Sequence, residues 1–150
     1  MSLESVFDIN ASGMKAQMLR MEVLSSNIAN INATRTPEGG PYRRRDVVFE
    51  STPVGESFDD ALNAASAAEN TNTRIGVEVS QVVEDPSPFK QKYDPGHPDA
   101  GPDGYVLFPN VDVVSEMVNV QEAARSYEAN IAVILAVKNM IAKTFEIGRR

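Results

Sequence analysis

One histidine, a run of three arginines and a string of aspartates are the residues of this 150-residue chain best suited to chemistry. His97 stands in Asp94-Pro-Gly-His-Pro-Asp99, where an imidazole could act as a general base or a metal ligand. Either role needs companions, and the chain has no cysteine and no second histidine. Asp94, Asp99 and Asp103 loosely resemble a calcium loop, but their spacing, the intervening prolines and the missing terminal glutamate do not fit an EF-hand. This segment therefore reads as turn chemistry. Arg43, Arg44 and Arg45 follow Tyr42 and could grip phosphate, but a salt-bridging turn is the commoner outcome for so short a run. In an assembly of acidic subunits these arginines would suit a neighbour's carboxylates. Two matches to the glycosylation pattern, at Asn10 and Asn32, lie in or beside a predicted helix and are discounted. No phosphate loop, nucleophile elbow or well-spaced carboxylate pair occurs. No catalytic, metal-binding or cofactor-binding residue is assigned, and the chain is expected not to be an enzyme.

Composition narrows the partners. A net charge of −7 argues against nucleic acid, which requires a basic face, and against an anionic membrane surface. The longest apolar run, Ile131 to Val137, is far too short to span a bilayer, so no direct membrane insertion is expected. Residues 1–20 carry Glu4 and Asp8 and lack the apolar core of a secretory signal, so any export is expected to proceed without a cleaved leader. The absence of cysteine suits passage through an oxidising compartment.

The elements that must position these residues are unevenly distributed. The two termini, 3–33 and 111–147, are long stretches with apolar residues stepping at three and four, the pattern of amphipathic helices. In the first, Phe7, Met14, Met21 and Ile28 repeat every seven residues, with Leu3, Leu24 and Ile31 in the complementary row and Asn10 and Gln17 interrupting it. In the second, Met117, Val120, Ala124, Tyr127, Ile131, Ile134, Ile141 and Phe145 form a stripe, and Lys138 suggests a shift of that stripe near Val137 and Met140. Asn110, Asp112 or Ser115 could cap its start, and Gly148 suits its end.

The middle obeys a different grammar. Asp46–Glu50, Gly76–Glu84 and Gly104–Pro109 read as strands, and 51–73 as a mobile insertion with a weak helix over Ser57–Ala68. Residues 85–103 hold five prolines and are expected to form a loop without regular structure. The predicted class is α+β: long terminal helices that pair as a coiled coil, with a small strand- and loop-rich middle. The expected organisation is an N-terminal helix in 1–35, a middle segment in 36–110 and a C-terminal helix in 111–150. A two-helix hairpin leaves much apolar surface uncovered, and Met18, Val23, Val133 and Met140 lie off the main seams. This favours an assembly protein over a self-sufficient monomer.

The stretch Leu24-Ser-Ser-Asn-Ile-Ala-Asn-Ile-Asn-Ala-Thr34, followed by Pro37 and Tyr42, resembles the N-terminal signature of the bacterial flagellar rod and hook proteins. Residues 111–130, including Glu116, Met117, Arg125, Tyr127, Ala129 and Asn130, resemble the matching C-terminal signature. The middle segments Glu84–Phe89, Tyr93–Ala100, Gly104–Val106 and Pro109–Asp112 narrow the resemblance to the short, proximal-rod members. The insertion at 51–73 is not part of that pattern.

The resemblance implies a structural subunit of the basal body, polymerising helically in the periplasm as part of the drive shaft and export channel after leaving through the type III export apparatus. It implies contacts with copies of itself, with the rod subunits FlgB, FlgF and FlgG, and with the ring–rod adaptor FliE. It marks Ser26, Asn27, Ile28, Ala29, Asn30, Thr34, Tyr42, Glu116, Met117, Arg125, Tyr127, Ala129 and Asn130 as motif residues. Helix pairing and assembly are expected to use Phe7, Met14, Met21, Leu24, Ile28 and Ile31 against Met117, Val120, Tyr127, Ile131, Ile134 and Ile141. A second reading is a secreted binding or regulatory module that recognises its target through the 85–103 loop. An enzyme built on His97 and Asp99 is a distant third.

Overall fold

The computed structural model describes residues 3–53 and 75–148. Among these residues, two long helices bracket four strands in the order α1 (Leu3–Ala29), β1 (Arg45–Pro53), β2 (Ile75–Glu84), β3 (Lys90–Tyr93), β4 (Tyr105–Phe108) and α2 (Val113–Ile147). The class is α+β, with β1 paired to β2 and β3 to β4 in separate two-stranded sheets.

α1 ends at Ala29, earlier than the apolar pattern to residue 33 suggests. The reason is local competition for carbonyls. The Asn30 side chain donates to the Ser26 carbonyl at 2.9 Å, and the next amides tighten into shorter turns, Ile31 to Ile28 and Ala33 to Asn30. The chain then reverses through Thr36–Gly40, where Gly39 and Gly40 take φ of 92° and 79°, a region that favours glycine. Of the three capping candidates for α2, Asp112 is the cap. Its carboxylate accepts from the Ser115 amide at 3.0 Å and its carbonyl from the Glu116 amide at 2.9 Å. The Gly148 amide closes the other end on the Thr144 carbonyl at 3.1 Å.

β1 and β2 extend the expected strands by one to four residues, β4 is one residue shorter at each end than the expected Gly104–Pro109, and there is one correction. Lys90–Tyr93 is a strand within the segment read as irregular. Pro88 and Pro95 lie outside its ends and delimit it, so they remove no ladder hydrogen bond. It pairs antiparallel with β4, Lys90 opposite Phe108 and Tyr93 opposite Tyr105. The Tyr93 and Tyr105 rings meet edge-on at 5.3 Å. Gly104, at φ 75°, precedes β4 where an added Cβ would stand 2.8 Å from the Tyr93 ring. The proposed insertion at 51–73 overlaps β1 at Ser51–Pro53. Its remainder, including the weak helix over Ser57–Ala68, lies outside the described residues.

The chain divides into two units: Met1–Met18, Phe49–Val79 and Arg125–Arg150 in the first, Leu19–Val48 and Ser80–Ala124 in the second. In the first, Ala16, Gly76 and Val137 are buried, the Val77 amide donates to Ser12 Oγ at 3.2 Å, and an added Cβ at Gly13 would reach 3.0 Å from Asn130 Nδ2. That close approach is where glycine lets the two helices meet. In the second, Leu24, Tyr42, Val106, Val111 and Ala123 are buried together with Asn27 and Glu116. Arg20 faces Glu122 at 3.8 Å and Asn27 meets Glu116 at 3.0 Å, so the helix segments of this unit run antiparallel.

Along α2, Glu116, Ala123 and Val137 are buried and Asn130 is half-buried, each seven residues from the next. Val120, Tyr127, Ile134 and Ile141 form the accompanying half-buried row. The sequence pattern shares that second row, but it pairs it with the apolar Met117, Ala124 and Ile131. Those lie one residue past the buried row, whose glutamate, alanine and asparagine carry little hydrophobic signal. The spacing of seven continues through Val137, and no shift occurs at Lys138.

Candidate assembly site and its polar anchor

Asn27 is the centre of a buried network in the second unit. Its side chain donates to the Arg45 carbonyl at 2.8 Å and to Glu116 Oε2 at 3.0 Å. Its own oxygen accepts from Tyr42 Oη at 2.9 Å and from the Arg45 amide at 3.0 Å. Both donors and both lone pairs of the amide are thus used, which is the condition for burying it without loss. One side chain so ties the end of α1 to the following turn and to the first turn of α2.

Glu116 carries the network onward. Its second oxygen accepts from Arg44 Nε at 2.7 Å, and Arg44 also reaches Asp46 at 3.0 Å and Asp85 at 3.7 Å. Glu116 is 1% exposed, so this charge is viable only because it is paired and hydrogen-bonded. Burial opposes the Arg44 charge, but the hydrogen bonds and charges of Glu116 and Asp46 outweigh it and raise the Arg44 pKa above its ordinary value.

A second tier holds the 85–90 segment. Asn110 accepts from the Arg44 amide at 2.8 Å and donates to the Asp85 and Ser87 carbonyls at 3.3 and 3.4 Å. Arg43 bonds the Asp85 carbonyl at 3.0 Å and lies over the Phe89 ring at 4.4 Å. Lys90 Nζ donates to the Val111 carbonyl at 2.6 Å, just ahead of α2. Hydrogen bonds from Ser87, helped by Arg44 and Arg43, hold the Asp85 carboxyl below the usual range. The Ser115 amide and Lys90 do the same for Asp112. Arg45 pairs with Glu84 at 3.5 Å. All three arginines therefore serve contacts within the chain, as the salt-bridging-turn reading of the run expects.

Among the motif residues, Asn27, Tyr42 and Glu116 come together in this anchor. Thr34 donates to Asp99 Oδ2 at 2.8 Å, and Asn30 bonds back to Ser26. Asn130 is half-buried beside Gly13, Tyr127 is half-buried, and Ser26, Ala29, Arg125 and Ala129 are exposed. Of the helix-seam residues Leu24 is buried. Phe7, Met14, Met21, Ile28, Ile31, Val120, Tyr127, Ile134 and Ile141 are half-buried, and Met117 and Ile131 are exposed. Sequence reasoning marked Arg44 as part of a salt-bridging run without its partners, and did not assign a role to Asp85 or Lys90. Their partners lie tens of residues away, and the one available signal was the arginine run itself.

Each unit also exposes apolar surface of its own. In the second unit, Ile28, Val114, Met117, Val118, Val120 and Gln121 line a groove of about 540 Å3, with Val114 72% exposed. In the first unit, Val133, Leu135, Met140, Phe145 and Ile147 are exposed along α2, the last two to 71% and 77%. Large exposed apolar side chains of this kind make the surface a candidate for interaction. Among the described residues no cluster of three or more metal-ligating side chains occurs, and no helix is long and apolar enough to cross a membrane.

Comparison with known proteins places this architecture. Residues 7–35 match the family described as flagella basal body rod protein, and residues 103–147 match the flagellar basal body rod FlgEFG protein C-terminal family. The chain is 43% identical over 149 residues to the flagellar basal-body rod protein FlgC of Escherichia coli O157:H7, covering 99% of this chain and 100% of that protein. It is 44% identical over 146 residues to FlgC of Bacillus subtilis, covering 95% of each. Against FlgC of Borreliella burgdorferi it is 40% identical over 156 residues, covering 98% of each. The matches to these relatives cover both helix-bearing ends and the strands between them, and the chain belongs to the FlgC family of flagellar basal-body rod proteins.

Proposed function

We propose that this protein is a structural subunit of the flagellar basal-body rod, in its proximal part, and has no catalytic role. The observation that carries the reading, beside the family membership, is the exposed apolar surface of α2. A chain that spends its buried volume on a polar anchor and leaves large apolar side chains in water is built to be completed by neighbours. Copies of the chain, the rod subunits FlgB, FlgF and FlgG and the adaptor FliE are the partners this reading names. Assembly in the periplasm after passage through the type III export apparatus, without leader cleavage, is its route. The organisation into an N-terminal helix, a middle segment and a C-terminal helix serves helical polymerisation, with the seam residues of both helices at the contacts.

The test is electron microscopy of basal bodies from the source bacterium with this gene deleted and then restored. The reading expects membrane rings without a rod in the deletion, rods after restoration, and no rods after restoration with Met117→Asp and Ile131→Asp together. Complete rods in the deletion would overturn it and favour a secreted module acting through the 85–103 loop.

A further inference from the structure

The His97 ring has a defined task within its own loop. The Asp99 amide donates to His97 Nδ1 at 3.1 Å, two residues along the chain. A nitrogen that accepts a hydrogen bond carries no proton, so this geometry requires the neutral imidazole with Nδ1 bare. Asp99 in turn uses Oδ2 to accept from Thr34 Oγ1 at 2.8 Å, which pins the 94–104 loop to the turn after α1. The same oxygen stands 4.0 Å from His97 Nδ1.

We propose that the His97–Asp99–Thr34 chain is a proton-operated pin, which holds the 94–104 loop to the Thr34 turn when His97 is neutral and releases it when His97 is protonated. Protonation places a hydrogen on Nδ1, where it faces the Asp99 amide hydrogen and ends that bond. The new imidazolium attracts the Asp99 carboxylate, and closing from 4.0 Å to hydrogen-bonding range draws Oδ2 about 1 Å toward the ring and off the threonine. Among the described residues the other groups around the ring are few. The His97 amide donates to the Asp94 carbonyl, so the Asp94 carboxylate is on the same loop. From β4, Phe108 presents its ring at 6.3 Å, and Lys92 of β3 lies 5.8 Å over that same phenyl ring. The ring is partly open to solvent, so the proton has free access. The inference concerns the fold alone and does not depend on the rod reading.

The experiment is an NMR titration of the full chain from about pH 8 to about pH 5, a window in which histidine changes charge and which lies above the ordinary carboxylate range. The His97 ring protons, the Asp99 amide and the Thr34 resonances are followed together. All three are expected to move with one midpoint. His97→Asn supplies an oxygen that accepts from the Asp99 amide without titrating, and the Asp99 and Thr34 signals should then stay still across the window. Thr34 resonances that do not move through the His97 titration in the native chain, or that move equally in His97→Asn, would overturn the proposal.

Discussion

The anchor around Asn27 and Glu116 and the far half of α2 solve opposite problems with the same chain. Around Asn27, polar groups that would be costly to bury find partners within a few residues of three different elements, and little is left for a neighbour to supply. Farther along α2, Val133, Leu135, Met140, Phe145 and Ile147 would gain from burial and are left in water. The first region specifies where α1, the 42–46 turn and the start of α2 must be. The second offers surface. The contrast teaches that the motifs shared with the family need not be the surfaces that bind. Its buried members, Asn27, Tyr42 and Glu116, hold the fold of the second unit, while the surface is carried by less distinctive leucines, valines and methionines.

The largest expected effect comes from breaking the anchor. Glu116→Ala leaves Arg44 and the Asn27 amide without their buried partner, and should cost about 3–5 kcal/mol in urea unfolding of the isolated chain. A loss below about 1 kcal/mol would show that the network does not hold this region.

A smaller effect with a definite sign involves Asp112. Its carboxyl is held below the usual range, so the unfolded chain binds protons more readily and stability rises with pH through that range. This contribution is present above the ordinary carboxylate pKa and fades as pH falls below about 4. Asp112→Asn keeps a capping side chain but removes the titration, so its acid limb should be shallower than the native one, with Asp85 supplying the remainder. Parallel acid limbs in thermal melts from pH 5 to pH 2 would refute this role.

The smallest effect on stability should come from the exposed face. Leu135→Ser, at a half-exposed position, should change unfolding free energy of the isolated chain by no more than about 0.5 kcal/mol. It should nevertheless lower incorporation into basal bodies, by about tenfold if it costs 1.4 kcal/mol of contact energy. Equal losses in both measurements would erase the distinction between the two regions.

The two regions also differ in how far the sequence discloses them. Helix existence and class were plain from the three-and-four spacing, and Asp112 was among the capping candidates. The buried row of α2 was not plain, because Glu116, Ala123 and Asn130 are polar or small, and hydropathy pointed one residue later, to Met117 and Ile131. Asn27, Tyr42 and Glu116 were marked by resemblance, which named them without saying what they touch. Arg44 meets Glu116, Asn110 and Asp85 across 72, 66 and 41 residues, separations that no local pattern encodes. The bond from the Asp99 amide to His97 was not legible, because it depends on loop geometry that the prolines of the segment alone do not define.

The measurement that tests the central claim most directly is hydrogen exchange of the dilute, isolated chain, followed peptide by peptide. Slow exchange is predicted for α1 near Asn27, the 42–46 turn and the first two turns of α2, with fast exchange across residues 133–147. Protection across 133–147 equal to that around Glu116 would mean that α2 needs no neighbour, and would contradict the account.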